Sequence, residues 1–94
     1  MSDDERCEAT LEIVNRLGLH ARAAVLLVQA ASKFDAKVTV TKDGQAVDGR
    51  SIMGVMMLAA EQGSLVEVVT EGPQARAALD AITTIVANKF NESD

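Results

Sequence analysis

The segment AKVTVTKDGQAVDGR, residues 36–50, contains the strongest constraint on how this chain can fold. Its first half alternates valine with polar residues, which is the pattern of a strand with one buried face. The dipeptide Asp43-Gly44 is a preferred two-residue turn of β-hairpins, and a second extended segment follows it. We therefore predict two strands, 36–42 and 45–50, that pair in antiparallel fashion.

Hydrophobic periods assign the remaining elements. Alternation predicts a strand at 7–14, and a β-branched run predicts another at 65–69. Apolar residues at helical spacing predict helices over 21–33, 51–58 and 73–90, the last with Pro73 at its first position. The order β-α-β-β-α-β-α predicts an α+β fold, in which helices cover one face of a four-stranded antiparallel sheet.

The chain has 94 residues, of which 48% are hydrophobic, and this is enough for one core. We expect one domain over 1–94, ordered from about 7 to 90, with the first six residues and the final NESD disordered. Cys7 has no partner for an internal disulfide, and we expect it to be a buried strand residue without a function. The chain has neither a secretory leader pattern nor a run of about 18 apolar residues. These features predict a cytoplasmic protein without direct membrane insertion.

Composition also limits the classes of partner and cofactor. The net charge is −5 at pH 7, and the chain has neither Trp nor Tyr, which argues against a nucleic-acid surface. It has no Gly-rich phosphate loop, no CxxC motif and no pair of histidines. We therefore expect no cofactor and no metal site.

The single histidine, His20, lies in NRLGLHARAA, where the strand pattern changes to a helical one. Histidine is a poor helix cap, so capping does not explain its position. Free backbone N–H groups and the helix dipole favour an anion there, and together with Arg22 they disfavour the imidazolium form. A neutral imidazole nitrogen at this place can accept a phosphoryl group, with Arg22 holding its oxygens. The alternative is an exposed loop histidine without a function.

Two motifs together, GLHAR and GRSIMGVMML, resemble the histidine-containing phosphocarrier (HPr) family of the phosphoenolpyruvate-dependent phosphotransferase system. The resemblance covers about residues 7–90 and implies an open-faced β-sandwich. It implies that His20 receives a phosphoryl group at Nδ1 from Enzyme I and passes it to an Enzyme IIA. It also implies that Arg22 contacts the phosphate and that Ser51 is the regulatory site of an HPr kinase.

Two positions need separate comment. Ser51 directly precedes an apolar helical run, so a plain N-cap is the alternative to a phosphorylation site.

The family usually has proline where this chain has Ala23, which removes a restraint on φ in the first helical turn. Alanine is a strong helix former, so we expect a small change in local stability and an intact phosphoryl site.

The apolar residues of SIMGVMML cannot all face one core from two turns of helix. If Val55 and Leu58 point inward, other residues of this helix emerge on the opposite side, and methionine suits an adaptable partner surface. A wholly buried methionine cluster is the alternative. By resemblance, the patch that docks Enzyme I and Enzyme IIA consists of Val25, Ile52, Met53 and Met56.

We therefore interpret the chain as a monomeric phosphoryl carrier, a relay protein and not a self-sufficient enzyme. Its motifs resemble both the sugar branch and the nitrogen-regulatory branch of the family, and both branches use the same histidine. The alternative from another class is a non-transferring regulatory module controlled through Ser51. A plain structural domain is the third reading.

Overall fold

The predicted β-α-β-β-α-β-α order is confirmed in the computed structural model, which describes residues 5–93. A short 3-10 turn follows the last helix. The elements are β1 Glu5–Glu12, α1 Ala21–Ser32, β2 Lys37–Lys42, β3 Gln45–Asp48, α2 Ile52–Met57, β4 Leu65–Gly72, α3 Ala75–Ala87 and the 3-10 turn Lys89–Asn91.

The four strands form one antiparallel sheet in the order β1-β4-β2-β3. The predicted hairpin joins β2 to β3, with Lys42 opposite Gln45. Asp43 and Gly44 both have positive φ, 50° and 81°, as the two central residues of a type I′ turn require. The hairpin therefore turns as its sequence predicts.

The core lies between the three helices and one face of the sheet. The inward side chains of Cys7, Val38 and Val68 on the strands are at most 5% exposed. The α1 stripe that the sequence predicts is also buried, with Ala24 and Leu27 fully enclosed. The opposite face of the sheet carries exposed polar side chains. The architecture is the open-faced sandwich that we expected. None of the helices within residues 5–93 is long and apolar enough to cross a membrane.

The last helix differs from its prediction at both ends. It begins at Ala75, so the placement of Pro73 at the first helical position is wrong. Gln74 forms two hydrogen bonds with Asp35 instead. Oε1 of Gln74 accepts from the backbone N–H of Asp35 (2.7 Å), and the backbone N–H of Gln74 donates to the Asp35 carbonyl (3.1 Å). These bonds fix a turn before the helix, which begins only after Gln74. The helix ends at Ala87, because the residues that follow Asn88 are left-handed.

The bounds of the predicted strands and both predicted disordered ends also need correction. β1 ends at Glu12 instead of residue 14, and β3 ends at Asp48 instead of residue 50. β4 continues to Gly72, because Thr70 is fully buried between β1 and β2 and its hydroxyl donates to the Ala75 carbonyl (2.7 Å). β1 begins at Glu5, so disorder of the first six residues is wrong for the last two of them. It is also wrong for residues 91–93, which the structure describes. Residues 1–4 and 94 lie outside the described part of the chain.

Candidate functional site

The loop before α1 is held against the connection between α2 and β4. Gly18 has a φ of 67°, and a Cβ added to it would lie 2.4 Å from the Ala60 carbonyl oxygen. The N–H of Leu19 donates to that same oxygen at 2.8 Å. Only glycine fits this left-handed position against another backbone, so Gly18 sets where the next residues enter the helix.

His20 is the N-cap of α1 and has extended backbone angles, φ −72° and ψ 177°. Its carbonyl accepts the first intrahelical hydrogen bond from Ala24 N–H (2.9 Å). The amides of the three intervening residues therefore precede the helical ladder. The imidazole does not cap the helix, and its side chain is 29% exposed. His20 is thus positioned by the helix start without taking part in its hydrogen bonding through the ring.

The imidazole binds a carboxylate from the C-terminal segment. Nε2 of His20 lies 2.5 Å from Oε2 of Glu92. An ionised carboxylate can only accept hydrogen bonds, so Nε2 carries the proton, and in the neutral ring the lone pair is on Nδ1. Within residues 5–93, Nδ1 has no hydrogen-bond partner. The nitrogen available to an electrophile is therefore Nδ1.

Asn15 fixes the other oxygen of this carboxylate. Its side chain is fully buried, and Nδ2 donates to Glu92 Oε1 (3.1 Å) and to the Gly18 carbonyl (2.8 Å). One amide group therefore links the loop before the histidine to the C-terminal segment. Within the described chain its own Oδ1 is buried without a partner.

The carboxylate of Glu92 is held in its ionised form. The hydrogen bond from His20 is the largest cause that lowers its pKa, while partial burial acts in the opposite direction. The hydrogen bond from Asn15 and the positive charge of Arg22 lower the pKa further. Glu92 is therefore a hydrogen-bond acceptor at neutral pH.

An open cleft of about 320 Å³ adjoins this carboxylate, and Arg22 is exposed to solvent beside it. Its guanidinium is free to reach an anion at the helix start. Within the described part of the chain, the histidine, cysteine and carboxylate side chains form no cluster of three that could hold a metal ion. The lining of the cleft consists of Arg16, Leu17, Arg22, Asn91, Glu92 and Ser93.

An exposed apolar surface covers α2, which packs against α1. Val55 and Leu58 point inward, at 0% and 3% exposure, as the sequence predicts. The alternative of a wholly buried methionine cluster is wrong, and Met57 is exposed as well, beyond the residues predicted for the patch. Val25 on α1 is half-buried. We call the following four residues the α2 patch, which surrounds an apolar depression of about 530 Å³: Ile52 (43% exposed), Met53 (73%), Met56 (43%) and Met57 (62%).

The comparisons with known protein families, sequences and structures all identify the same family. Residues 7–88 match the family described as PTS HPr component phosphorylation site. Phosphocarrier protein HPr of Treponema pallidum is 52% identical over 83 residues, which cover 88% of this chain and 94% of that protein. This chain belongs to the HPr family of phosphocarrier proteins.

Other members of the HPr family are also similar in sequence and structure. Phosphocarrier protein NPr of Shewanella violacea is 40% identical over 88 residues, covering 94% of this chain and 97% of that protein. The crystal structure of HPr-C-His from Thermoanaerobacter tengcongensis matches with a TM-score of 0.90 at 43% identity, covering 94% of this chain and 99% of that one. Both HPr and NPr names therefore occur among the relatives.

Two residues of this HPr site were missed by reasoning from the sequence, Asn15 and Glu92. Glu92 lies in the segment predicted to be disordered and beyond residue 88, where the family match ends. The available signal was Phe90, an apolar residue two positions earlier that is 1% exposed and anchors the segment in the core. Asn15 carries no signal of its own, since asparagine is common in loops.

Proposed function

We propose that this chain is a phosphoryl carrier in which phosphorylated Enzyme I transfers its phosphoryl group to His20, and His20 then transfers it to an Enzyme IIA. The observation that carries the proposal is the arrangement around the imidazole. Nε2 is bonded to Glu92, while Nδ1 has no partner among residues 5–93 and the ring stands at the first turn of α1. This leaves one ring nitrogen to act as the nucleophile.

The first turn of α1 supports a bound phosphoryl group. The N–H groups of Ala21, Arg22 and Ala23 precede the first intrahelical bond, and the helix dipole favours negative charge at this end. Ala23 takes part because, unlike proline, it has an N–H group. The guanidinium of Arg22 adds a charged donor suited to phosphate oxygens. We propose that these groups stabilise the phosphoryl group during its in-line transfer.

We propose that the α2 patch and Val25 dock Enzyme I and Enzyme IIA in turn. Four large apolar side chains on one short helix are exposed by 43% or more, which is typical of a surface that binds another protein. Methionine adapts its shape to different partners, as a carrier with two successive partners requires. α2 packs against α1, the helix that begins at His20, so docking there brings a partner close to the histidine.

A second proposal concerns Ser51, as the site of an HPr kinase/phosphorylase. Its hydroxyl accepts a hydrogen bond from Gly54 N–H (3.1 Å), so it stands at the N-terminus of α2 directly before the patch. A phosphate at this position adds negative charge at the edge of an apolar docking surface. Docking would then remove water from a charged group, which costs free energy and weakens the complex. Ser51 phosphorylation would then reduce transfer through His20.

Phosphorylation from phosphoenolpyruvate tests the carrier proposal. The protein is incubated with phosphoenolpyruvate and Enzyme I, and the product is examined by imidazole NMR for a phosphorus-coupled Nδ1 signal of His20. We expect that signal in the wild-type protein and no phosphorylation in His20→Ala, which keeps its fold. Phosphorylation that persists in His20→Ala would place the acceptor elsewhere.

The same assay separates the open alternatives. Enzyme I of a sugar system and Enzyme I of a nitrogen-regulatory system are compared as donors, and the faster one identifies the branch. The regulatory module without transfer predicts no phosphorylation by either donor, although both donors charge another carrier. It also predicts partner binding that changes in Ser51→Asp and is unaffected by His20→Ala.

A further inference from the structure

We infer that Leu17 binds an apolar pocket of Enzyme I and selects which Enzyme I phosphorylates this chain. The inference rests on the proposed function, because it concerns the donor that phosphorylates His20. Leu17 lies in the loop between β1 and α1, apart from the α2 patch. Three features of this residue support the inference: its exposure, the turn that holds it and its place beside the helix start.

Leu17 is a large apolar side chain that is open to solvent. Within residues 5–93 six such side chains are exposed, and four of them form the α2 patch. The other two are Leu17, which is 60% exposed, and Leu65 on the open face of the sheet, which is 61% exposed. A single exposed leucine is ordinary on a protein surface, so exposure alone does not indicate a function. The position of Leu17 in a turn distinguishes it.

A tight turn over residues 15–18 holds Leu17 at one of its two central positions. The N–H of Gly18 donates to the Asn15 carbonyl (3.2 Å), and Nδ2 of Asn15 donates to the Gly18 carbonyl (2.8 Å). Gly, Pro, Asn, Asp and Ser predominate in turns, and leucine has none of the properties that favour them. Turn formation therefore does not explain the leucine. Hydrogen bonds at both ends of the turn present its side chain to solvent in a fixed place.

The turn lies beside the proposed phosphoryl site. Leu17 precedes His20 by three residues and lines, together with Arg22, the open cleft of about 320 Å³. A donor that brings its phosphoryl group to the histidine therefore comes within reach of Leu17. The turn is also tied to the connection that follows α2, since the N–H of Leu19 donates to the Ala60 carbonyl (2.8 Å). One partner can thus cover both the α2 patch and the turn.

The occupant that we infer is Enzyme I. A carrier enters one branch of the phosphotransferase system at its donor, so a contact that distinguishes the branches acts on Enzyme I. Burial of Leu17 is favourable only where an apolar pocket removes it from water. Arg16 and Arg22 are exposed basic residues on either side of it in the sequence, and they favour acidic groups around that pocket. An Enzyme I with a polar surface at this place gains nothing from Leu17.

The test compares the wild-type protein with Leu17→Ala and Leu17→Met, using Enzyme I of a sugar system and Enzyme I of a nitrogen-regulatory system. Calorimetry gives the Kd for each unphosphorylated Enzyme I, and transfer kinetics give kcat and KM. For the preferred donor, Leu17→Ala should raise Kd and KM about 5- to 30-fold and leave kcat unchanged, because the lost burial contributes to binding alone. Binding of the other Enzyme I should change little. Leu17→Met keeps the apolar volume and should remain close to the wild-type protein.

The matched control is Leu65→Ala, which removes the same atoms from a side chain of nearly equal exposure on the opposite face of the sheet. It should match the wild-type protein in every readout. An unchanged Kd in Leu17→Ala, or an equal change in Leu65→Ala, would overturn the inference. Equal weakening toward both donors would show that Leu17 does not select between them. Thermal unfolding of each variant shows that the compared proteins are folded.

The two measurements also separate this inference from the carrier proposal. If the wild-type protein is phosphorylated and Leu17→Ala binds Enzyme I equally well, only the inference fails. If the wild-type protein binds Enzyme I but accepts no phosphoryl group, the carrier proposal fails, and the binding comparison still decides the role of Leu17. If it binds neither Enzyme I, both fail.

Discussion

The side-chain amide of Asn15 donates a hydrogen bond to Glu92, 77 residues further along the chain, at 3.1 Å. The same nitrogen donates to the Gly18 carbonyl at 2.8 Å. Because Gly18 lies two residues before His20, this one buried group connects the loop that positions the histidine with the carboxylate that binds it. The site is therefore assembled from both ends of the chain.

Replacement of Asn15 should weaken both the fold and the site. Asn15→Ala removes two hydrogen bonds and leaves buried groups without partners, so we expect a loss of about 2 kcal/mol in the free energy of unfolding. Urea unfolding measures this loss. Gln62→Ala is the control, since it removes a single exposed bond to the Val14 carbonyl and should cost far less. Equal losses in the two variants would contradict a special role of Asn15.

Gly18 should not tolerate a side chain. In Gly18→Ala the new Cβ meets the Ala60 carbonyl at 2.4 Å, and the backbone is held at a φ of 67°. We expect a loss of at least about 2 kcal/mol by urea unfolding, together with slower phosphorylation of His20. The control is Gly44→Ala, whose φ of 81° is also left-handed but whose Cβ would have open space. That variant should lose only about 1–2 kcal/mol. A loss in Gly18→Ala no larger than in the control would show that the steric contact is relieved at little cost.

The position of His20 follows from sequence because local features determine it. A single histidine between a strand pattern and a helical pattern lies at a helix start, and the structure has it at the N-cap of α1. The exposure of Ile52, Met53 and Met56 follows in the same way from two turns of helix with more apolar residues than one core can cover, whereas the exposure of Met57 was not predicted. Both depend on periodicity over a few residues, which the amino-acid sequence displays directly.

The contact of Glu92 with His20 could not be predicted from the same information. It spans 72 residues and depends on the left-handed run Lys89–Asn91, where no glycine indicates such a turn. Burial of Phe90 provides the tertiary contact that stabilises this run. The error at Pro73 is of the same kind, because contacts between Gln74 and Asp35 outweigh a local preference of proline. Sequence patterns report local preferences, and these two features are set by packing.

Loss of the Ser51 hydroxyl should destabilise α2. In Ser51→Ala the N–H of Gly54 loses its side-chain acceptor, so we expect a loss of about 1 kcal/mol in the free energy of unfolding. Ser51→Asp retains a good N-cap and should remain close to the wild-type stability. Thermal unfolding of the two variants measures the difference. Equal destabilisation by alanine and aspartate would show that the cap bond contributes little.

The contact between Glu92 and His20 should weaken in acid. Glu92 has an ordinary pKa of 4.5, and the hydrogen bond from His20 is the main cause of its lower pKa in the folded protein. A lowered folded pKa means that the stabilisation is complete above about 4.5 and is lost as the pH falls through the folded value. Asn15 and Arg22 act in the same direction, and burial acts against them.

Unfolding of the wild-type protein and Glu92→Gln across this pH range measures that loss. We expect the wild-type protein to be more stable above pH 4.5 and the difference to shrink as the solution is acidified below it. In the His20→Ala background the pKa of Glu92 loses its largest lowering cause, so the pH-dependent part of the difference should decrease. Carboxyl NMR titration of Glu92 provides the direct check. A stability difference that is constant from neutral to acidic pH would show that the ionised carboxylate does not stabilise the fold through His20.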